Sequence, residues 1–162
     1  MNKFYKVSKE QYEWSGLSEH AAYDDIKLPK RATAGSAGYD FFAPFTFTLS
    51  AGETIKIPTG IRVELDKDKF LACYPRSGLG FKFRCQLDNT VGIIDSDYFY
   101  SDNEGHIYAK ITNDSRDGKA MTVNKGEAFM QGIITQYFLT VDDETDGVRN
   151  GGFGSTTKDN AR

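Results

Sequence analysis

Phe45-Thr46-Phe47-Thr48-Leu49 alternates apolar and hydroxyl side chains, and Ile61-Arg62-Val63-Glu64-Leu65 repeats the alternation with charges. A period of two sends successive side chains to opposite faces of an extended chain. Thr54-Ile55-Lys56-Ile57 and His106-Ile107-Tyr108-Ala109-Lys110-Ile111-Thr112 follow the same rule, and Phe70-Leu71-Ala72-Cys73-Tyr74 is a short, mostly apolar run. Turn residues bound the segments: Ala51-Gly52-Glu53, Pro58-Thr59-Gly60, Asp66 to Asp68 and Asn113 to Gly118. Many short strands with regular turns predict an all-β barrel or jelly roll. The 12 Phe and 9 Tyr point the same way, because aromatic side chains favour strands.

Helical pattern is sparse. Lys9 to Trp14 and Ser77 to Phe83 each allow one or two turns, the second weakened by Gly78 and Gly80. Ala128 to Leu139 is long enough for either element, and its β-branched and aromatic residues predict a strand. The segment from Lys9 to Asp25 reads as a surface elaboration.

The chain of 162 residues fits one domain. We divide it into a single β domain over residues 1–140 and a flexible arm over 141–162, acidic at Asp142 to Asp146 and glycine-rich at Gly151 to Gly154. Lys and Arg number 20 against 23 Asp and Glu, a net charge of −3. That balance argues against a nucleic-acid partner, which needs a broad basic surface. It leaves room for one small polyanion held by a few arginines. No apolar run reaches the roughly 20 residues of a membrane helix, so no membrane partner is expected. Cys73 and Cys85 form no Cys-x-x-Cys pair and read as reduced core residues of an intracellular chain.

Three stretches carry chemistry. Pro75-Arg76-Ser77-Gly78-Leu79-Gly80 leaves an apolar strand and enters a glycine-bearing turn, which can aim backbone N–H groups at an anion. Arg76 adds a planar fork suited to phosphate oxygens. The plain alternative is a strand exit with Arg76 on the surface. Val91-Gly92-Ile93-Ile94-Asp95-Ser96-Asp97-Tyr98 ends an apolar run in two acids. If it stays extended, Asp95 and Asp97 point the same way and can polarise a water or help hold a metal. The alternative is an acidic turn behind a buried strand. Gly151-Gly152-Phe153-Gly154-Ser155-Thr156 is either a lid that caps a ligand with Phe153 or a loose end.

Taken in order, AGSAGYD (34–40), PRSGLG (75–80), GIIDSDY (92–98), KGEAFMQGI (125–133) and GGFGST (151–156) resemble the five motifs of the homotrimeric dUTPase family. The resemblance spans about Ala34 to Thr156. It implies a distorted jelly-roll, dUTPase-like β-barrel with one or two short helices. It implies a homotrimer whose active sites draw on all three subunits, and Mg²⁺-dependent hydrolysis of dUTP to dUMP and pyrophosphate. By the same resemblance Asp95 activates the attacking water. Tyr98 lies under the deoxyribose and excludes a 2′-hydroxyl. Asn89, with the backbone at Gly92 and Ile94, reads uracil. Arg76, Ser77 and Gly78 cradle phosphates, and Gln131 adds an amide. Phe153 stacks on uracil, flanked by Gly154 and Ser155, when the tail closes. Asp40 stands near metal-bound waters, and no residue ligates the metal directly. The expected location is the cytoplasm, the host's if the source is a virus.

The chain departs from the pattern in three places. The family turns back at a Gly within about two residues of the motif tyrosine, whereas here Phe99 to Glu104 precede Gly105. We expect a longer surface tip there, with Tyr100 available to a neighbouring subunit or a protein partner. Ala128 stands where the family usually has Arg. Arg149 lies one residue nearer the paired glycines than the tail Arg of the family, so its contact with the γ-phosphate is a separate expectation. Two other functions stay open at this level. One is a dCTP deaminase of the same fold, monofunctional or bifunctional, although family deaminases lack the stacking tyrosine and the glycine-rich tail that this chain has. The other is a regulatory module that senses dUTP without hydrolysing it.

Overall fold

The computed structural model describes residues 1–149, 151 and 152. Twelve strands and two short α-helices build the described part: β1 (Lys3–Lys6), α1 (Lys9–Trp14), β2 (Lys30–Arg31), β3 (Tyr39–Phe42), β4 (Phe47–Leu49), β5 (Thr54–Pro58), β6 (Ile61–Glu64), β7 (Lys69–Pro75), α2 (Ser77–Phe83), β8 (Cys85–Leu87), β9 (Gly92–Asp95), β10 (Tyr108–Asn113), β11 (Met121–Val123) and β12 (Ala128–Gln136). The alternating segments become β4, β5, β6 and β10, and the apolar run becomes β7. The ambiguous segment from Ala128 is a strand, but it stops at Gln136. Both helices form over the residues expected for them.

The strands fall into four sheets: β1–β6, β5–β10–β8, β11–β4 and β2–β3–β12–β7–β9. All their pairings are antiparallel. This is a jelly-roll arrangement of small sheets around one core, and not a continuously hydrogen-bonded barrel. In the five-stranded sheet β12 is central, which explains its apolar stretch: Phe129 and Met130 are buried between neighbours on both sides. Gly132 sits where a Cβ would stand 2.8 Å from Leu71 Cδ1, so the strand needs a bare backbone there.

The N-terminal segment is not a surface elaboration. Val7, Tyr12, Leu17, Ala21 and Ile26 are all buried in the core. Ser8 caps α1 by accepting from the Gln11 N–H at 3.0 Å. The Tyr12 hydroxyl donates to the Ala21 carbonyl. A fully buried Leu stabilises by roughly 1.5–3 kcal/mol, and Leu17 has no exposed surface at all. The sequence hides this layer because its apolar residues are isolated among charged ones. Trp14, by contrast, is 76% exposed.

The tip from Phe99 to Glu104 is also docked. Arg62 places its guanidinium 3.6 Å from the centroid of the Phe99 ring and donates to the Phe99 carbonyl at 2.6 Å. Glu104 accepts from the Ser8 N–H at 2.8 Å. Ser101 is buried, while Tyr100 is exposed. The tip is thus held by Ser8, just ahead of α1, and by Arg62 of β6.

Candidate active site

Strand register assembles the first group of expected residues. Gln131 lies opposite Asp40 on one side of β12 and opposite Tyr74 on the other. Arg76 follows directly after β7, and its guanidinium donates to Asp40. The Gln131 amide donates to the Pro75 carbonyl at 3.3 Å. Gly38 makes room for that amide, since a Cβ there would stand 2.5 Å from Gln131 Oε1. Ser77 and Gly78 lead α2, where a helix offers no internal acceptor for the first N–H groups. Asp40, Arg76, Ser77, Gly78 and Gln131 therefore meet at one end of the sheet.

The second group meets elsewhere. A cleft of about 670 Å³ is lined by Asn89, Gly92, Ile94, Asp95, Tyr98 and Arg149 among others. The chain reaches it through a tight turn at Asn89 to Val91, with Thr90 at φ 65°. The strands on either side of this turn do not pair with one another: β8 pairs with β10, while β9 pairs with β7. As a result β9 is an edge strand, and an edge offers backbone donors and acceptors that no other strand has used.

Asp95 ends β9, and residues Ser96–Tyr100 turn immediately into a 3-10 helix. Asp97 is thus not the next outward residue of a strand. Both acids still face one partner: Arg149 donates through Nε to Asp97 at 2.9 Å and through its terminal nitrogen to Asp95. Burial raises the pKa of Asp95 from the ordinary carboxylate value, with Arg149 opposing and Asp97 reinforcing the shift. Tyr98 is 6% exposed, and burial raises its phenol pKa. A Cβ at Gly152 would stand 2.8 Å from the Tyr98 ring, so the arm passes closely over that ring. Phe153, Gly154 and Ser155 lie outside the described residues.

The two groups do not touch within one chain. The register sets Asp95 beside Phe70, at the start of β7, and Arg76 lies six residues further along. At about 3.3 Å per residue the two are separated by roughly 20 Å.

Some lining residues were not anticipated. Lys56, Tyr108 and Lys110 form another wall of the cleft. Lys56 and Lys110 are directly paired across β5 and β10, Lys56 lies 4.6 Å from the Tyr108 ring centroid, and Lys110 pairs with Asp88 at 3.0 Å. The alternation in those strands already put the lysines on one face, but not which face borders the cleft.

The dUTPase family profile matches residues 24–157. The chain belongs to the dUTPase family. It is 38% identical over 134 residues to the deoxyuridine 5′-triphosphate nucleotidohydrolase of Lactococcus lactis, an alignment covering 81% of this chain and 88% of the relative. The crystal structure of the dUTPase from Streptococcus mutans superposes with a TM-score of 0.66 at 30% identity, covering 85% of this chain and 97% of that one. A dUTPase from phage phi11 of S. aureus, whose structure concerns the coordination of a structural Mg(II) ion, shares the fold with a TM-score of 0.65 at 18% identity, covering 91% of this chain and 97% of that one.

Proposed function

We propose that this chain hydrolyses dUTP to dUMP and pyrophosphate with Asp95 as the general base. The observation that carries the reading is Asp95 itself, half-buried at the mouth of the cleft that also holds Asn89, Gly92, Ile94 and Tyr98. Its raised pKa suits a group that must both take and release a proton. A water held by Asp95 attacks the α-phosphorus, Asp95 takes the proton, and the bond to the bridging oxygen breaks as pyrophosphate leaves. The free edge of β9 supports uracil reading by backbone at Gly92 and Ile94, with Asn89 at the turn. Tyr98 supports the deoxyribose from below. Arg76, Ser77, Gly78 and Gln131 hold the phosphates. Arg149, Phe153, Gly154 and Ser155 belong to the arm (residues 141–162) that closes over the β domain (1–140).

The separation of Asp95 from Arg76 supports a site shared between copies, as in a homotrimer, because one chain does not bring both to one nucleotide. Mg²⁺ prefers oxygen ligands and retains waters. Among the described residues no group of three His, Cys, Asp or Glu converges on one point. The buried carboxylate of Asp40, beside Arg76, suits the water shell of an ion carried by the triphosphate oxygens. When bound, such an ion neutralises charge on the phosphate oxygens. Two buried thiols suit a reducing cytoplasm, and among the described residues no helix is long and apolar enough to cross a membrane.

The test is pyrophosphate release from dUTP, dCTP, dTTP and UTP with and without Mg²⁺, on the native chain and on Asp95→Asn. We expect dUTP alone to be turned over efficiently. We expect Asp95→Asn to keep nucleotide binding and lose about two orders of magnitude or more in kcat. Ammonia release from dCTP, or dUTP binding without turnover, would replace this reading.

A further inference from the structure

We propose that Asn103 is a positioning residue for Tyr98 and sets the preference for a 2′-deoxy sugar. The inference rests on the reading of Tyr98 given above and adds how its ring is held.

A phenol hydroxyl can donate once and accept. The Tyr98 hydroxyl donates to the His106 carbonyl at 2.9 Å and accepts from the Asn103 amide nitrogen at 2.8 Å. The other end of that amide is engaged too: Asn103 Oδ1 accepts from the Gly105 N–H at 3.2 Å. The amide is therefore oriented, with its donor toward Tyr98 and its acceptor toward the backbone. Gly105 lies at φ 69°, and a Cβ there would stand 2.6 Å from the Tyr98 carbonyl oxygen, so the loop closes directly onto the tyrosine's own backbone.

The loop that carries Asn103 is fixed to the frame. Glu104 holds Ser8 at the start of α1, and Arg62 grips Phe99 through ring and carbonyl. His106, which supplies the other contact to Tyr98, accepts from the Gly60 N–H at 2.8 Å through Nε2. Two hydrogen bonds from a pinned loop leave the ring little freedom to rock. A ring that cannot rock cannot yield to an extra hydroxyl on the sugar, which is how a rigid wall turns contact into discrimination. The six residues between Tyr98 and Gly105, longer than the family pattern, supply this brace in the chain's own sequence.

Asn103→Asp separates the two ends of the amide. It keeps an acceptor for Gly105 and removes the donor to Tyr98. We measure kcat/KM for dUTP and UTP in the native chain, Asn103→Asp, Asn103→Ala, Tyr98→Phe and the Tyr98→Phe/Asn103→Asp double variant. Competition by UTP against dUTP gives the same ratio where UTP is not turned over. The expected result is a fall in dUTP-over-UTP preference of roughly three- to tenfold in Asn103→Asp, the scale of one hydrogen bond, and no further fall from Asn103→Asp once the Tyr98 hydroxyl is gone. Unchanged preference in both Asn103 variants, or an equal fall in the Tyr98→Phe background, overturns the proposal. Tyr98→Ala is run beside them. Lost preference in Tyr98→Ala with unchanged preference in the Asn103 variants removes Asn103 alone, whereas unchanged preference in Tyr98→Ala removes the reading of Tyr98 and this inference together.

Discussion

The guanidinium of Arg149 donates to the carboxylate of Asp95 across 54 residues of sequence. The same group also reaches Asp97 at 2.9 Å, so one cation from the arm neutralises two acids at the cleft. Two carboxylates this close, one of them half-buried, repel, and Arg149 offsets that repulsion.

Removing the cation gives a directional prediction. Arg149 favours the charged form of Asp95, and burial and Asp97 oppose it. In Arg149→Ala the base therefore ionises at higher pH. The acid limb of kcat/KM for dUTP shifts upward, and activity at pH 6 falls by a larger factor than activity at pH 8. A pH–rate profile of both enzymes reads this directly. An unshifted limb shows that Arg149 does not act on Asp95 during turnover.

Two signals make strands legible: an apolar, β-branched or aromatic run for β7 and β12, and elsewhere an alternation long enough to state a period. β5, β6 and β10 carry four or more alternating residues. β8 and β11 have three residues each and are strands because of their partners, Ile111 to Asn113 and Phe47 to Leu49. Tyr39-Asp40-Phe41-Phe42 has no clean alternation, so nothing in the sequence marks β3 as a strand. Pairing with β12 makes it one. The site divides the same way. The cleft residues from Asn89 to Tyr98 are close in sequence and could be read together. The row of Asp40, Gln131 and Arg76 follows from register between distant strands, and the brace by Asn103 follows from a loop that sequence alone presents as an exposed tip.

His106 ties this loop to pH. Its ring is fully buried, takes the Gly60 N–H on Nε2, and turns Nδ1 toward the Gln11 amide at 3.4 Å. Burial pushes its pKa down to about 4, against a small opposing pull from Glu104. Between about 6.5 and 4 the unfolded chain takes a proton that the native ring refuses, so native stability declines as pH falls through that window. The contribution of this ring is complete above about pH 6.5, and the loss by pH 4 is of the order of 3 kcal/mol. Urea unfolding of the native chain and of His106→Gln across this range shows the effect. The stability gap between them narrows as pH falls, and a constant gap rules the ring out.

Gly38 and Gly132 predict opposite phenotypes for the same small substitution. At Gly38 the added Cβ meets the end of a flexible amide, Gln131 Oε1, at 2.5 Å. The amide swings away, and Gly38→Ala loses kcat/KM for dUTP by about tenfold, one phosphate hydrogen bond to a charged acceptor, with its thermal midpoint nearly unchanged. At Gly132 the Cβ meets Leu71 Cδ1 at 2.8 Å and Phe41 Cε2 at 3.1 Å inside the core. Overpacking there costs about 1–3 kcal/mol, so Gly132→Ala lowers the midpoint by several degrees. Calorimetry and steady-state kinetics on the two variants separate the cases. A stability loss in Gly38→Ala matching that of Gly132→Ala removes the distinction.

Asp95 and Arg76 stand at opposite ends of β7, and this makes subunit sharing testable without a structure of the assembly. Asp95→Asn and Arg76→Ala are each expected to be inactive alone. In a mixed assembly, a site that takes its base from an Arg76→Ala chain and its phosphate grip from an Asp95→Asn chain contains both native residues. Co-refolding the two inactive chains therefore restores a measurable share of dUTP turnover, and the restored activity is greatest near equal proportions. If base and grip came from one chain, no mixed assembly would hold an intact site, since every chain lacks one of the two. Absence of recovery, with mixed assemblies confirmed by mass, would place both residues in one subunit. It would also require a rearrangement that closes the roughly 20 Å between them set by the strand rise.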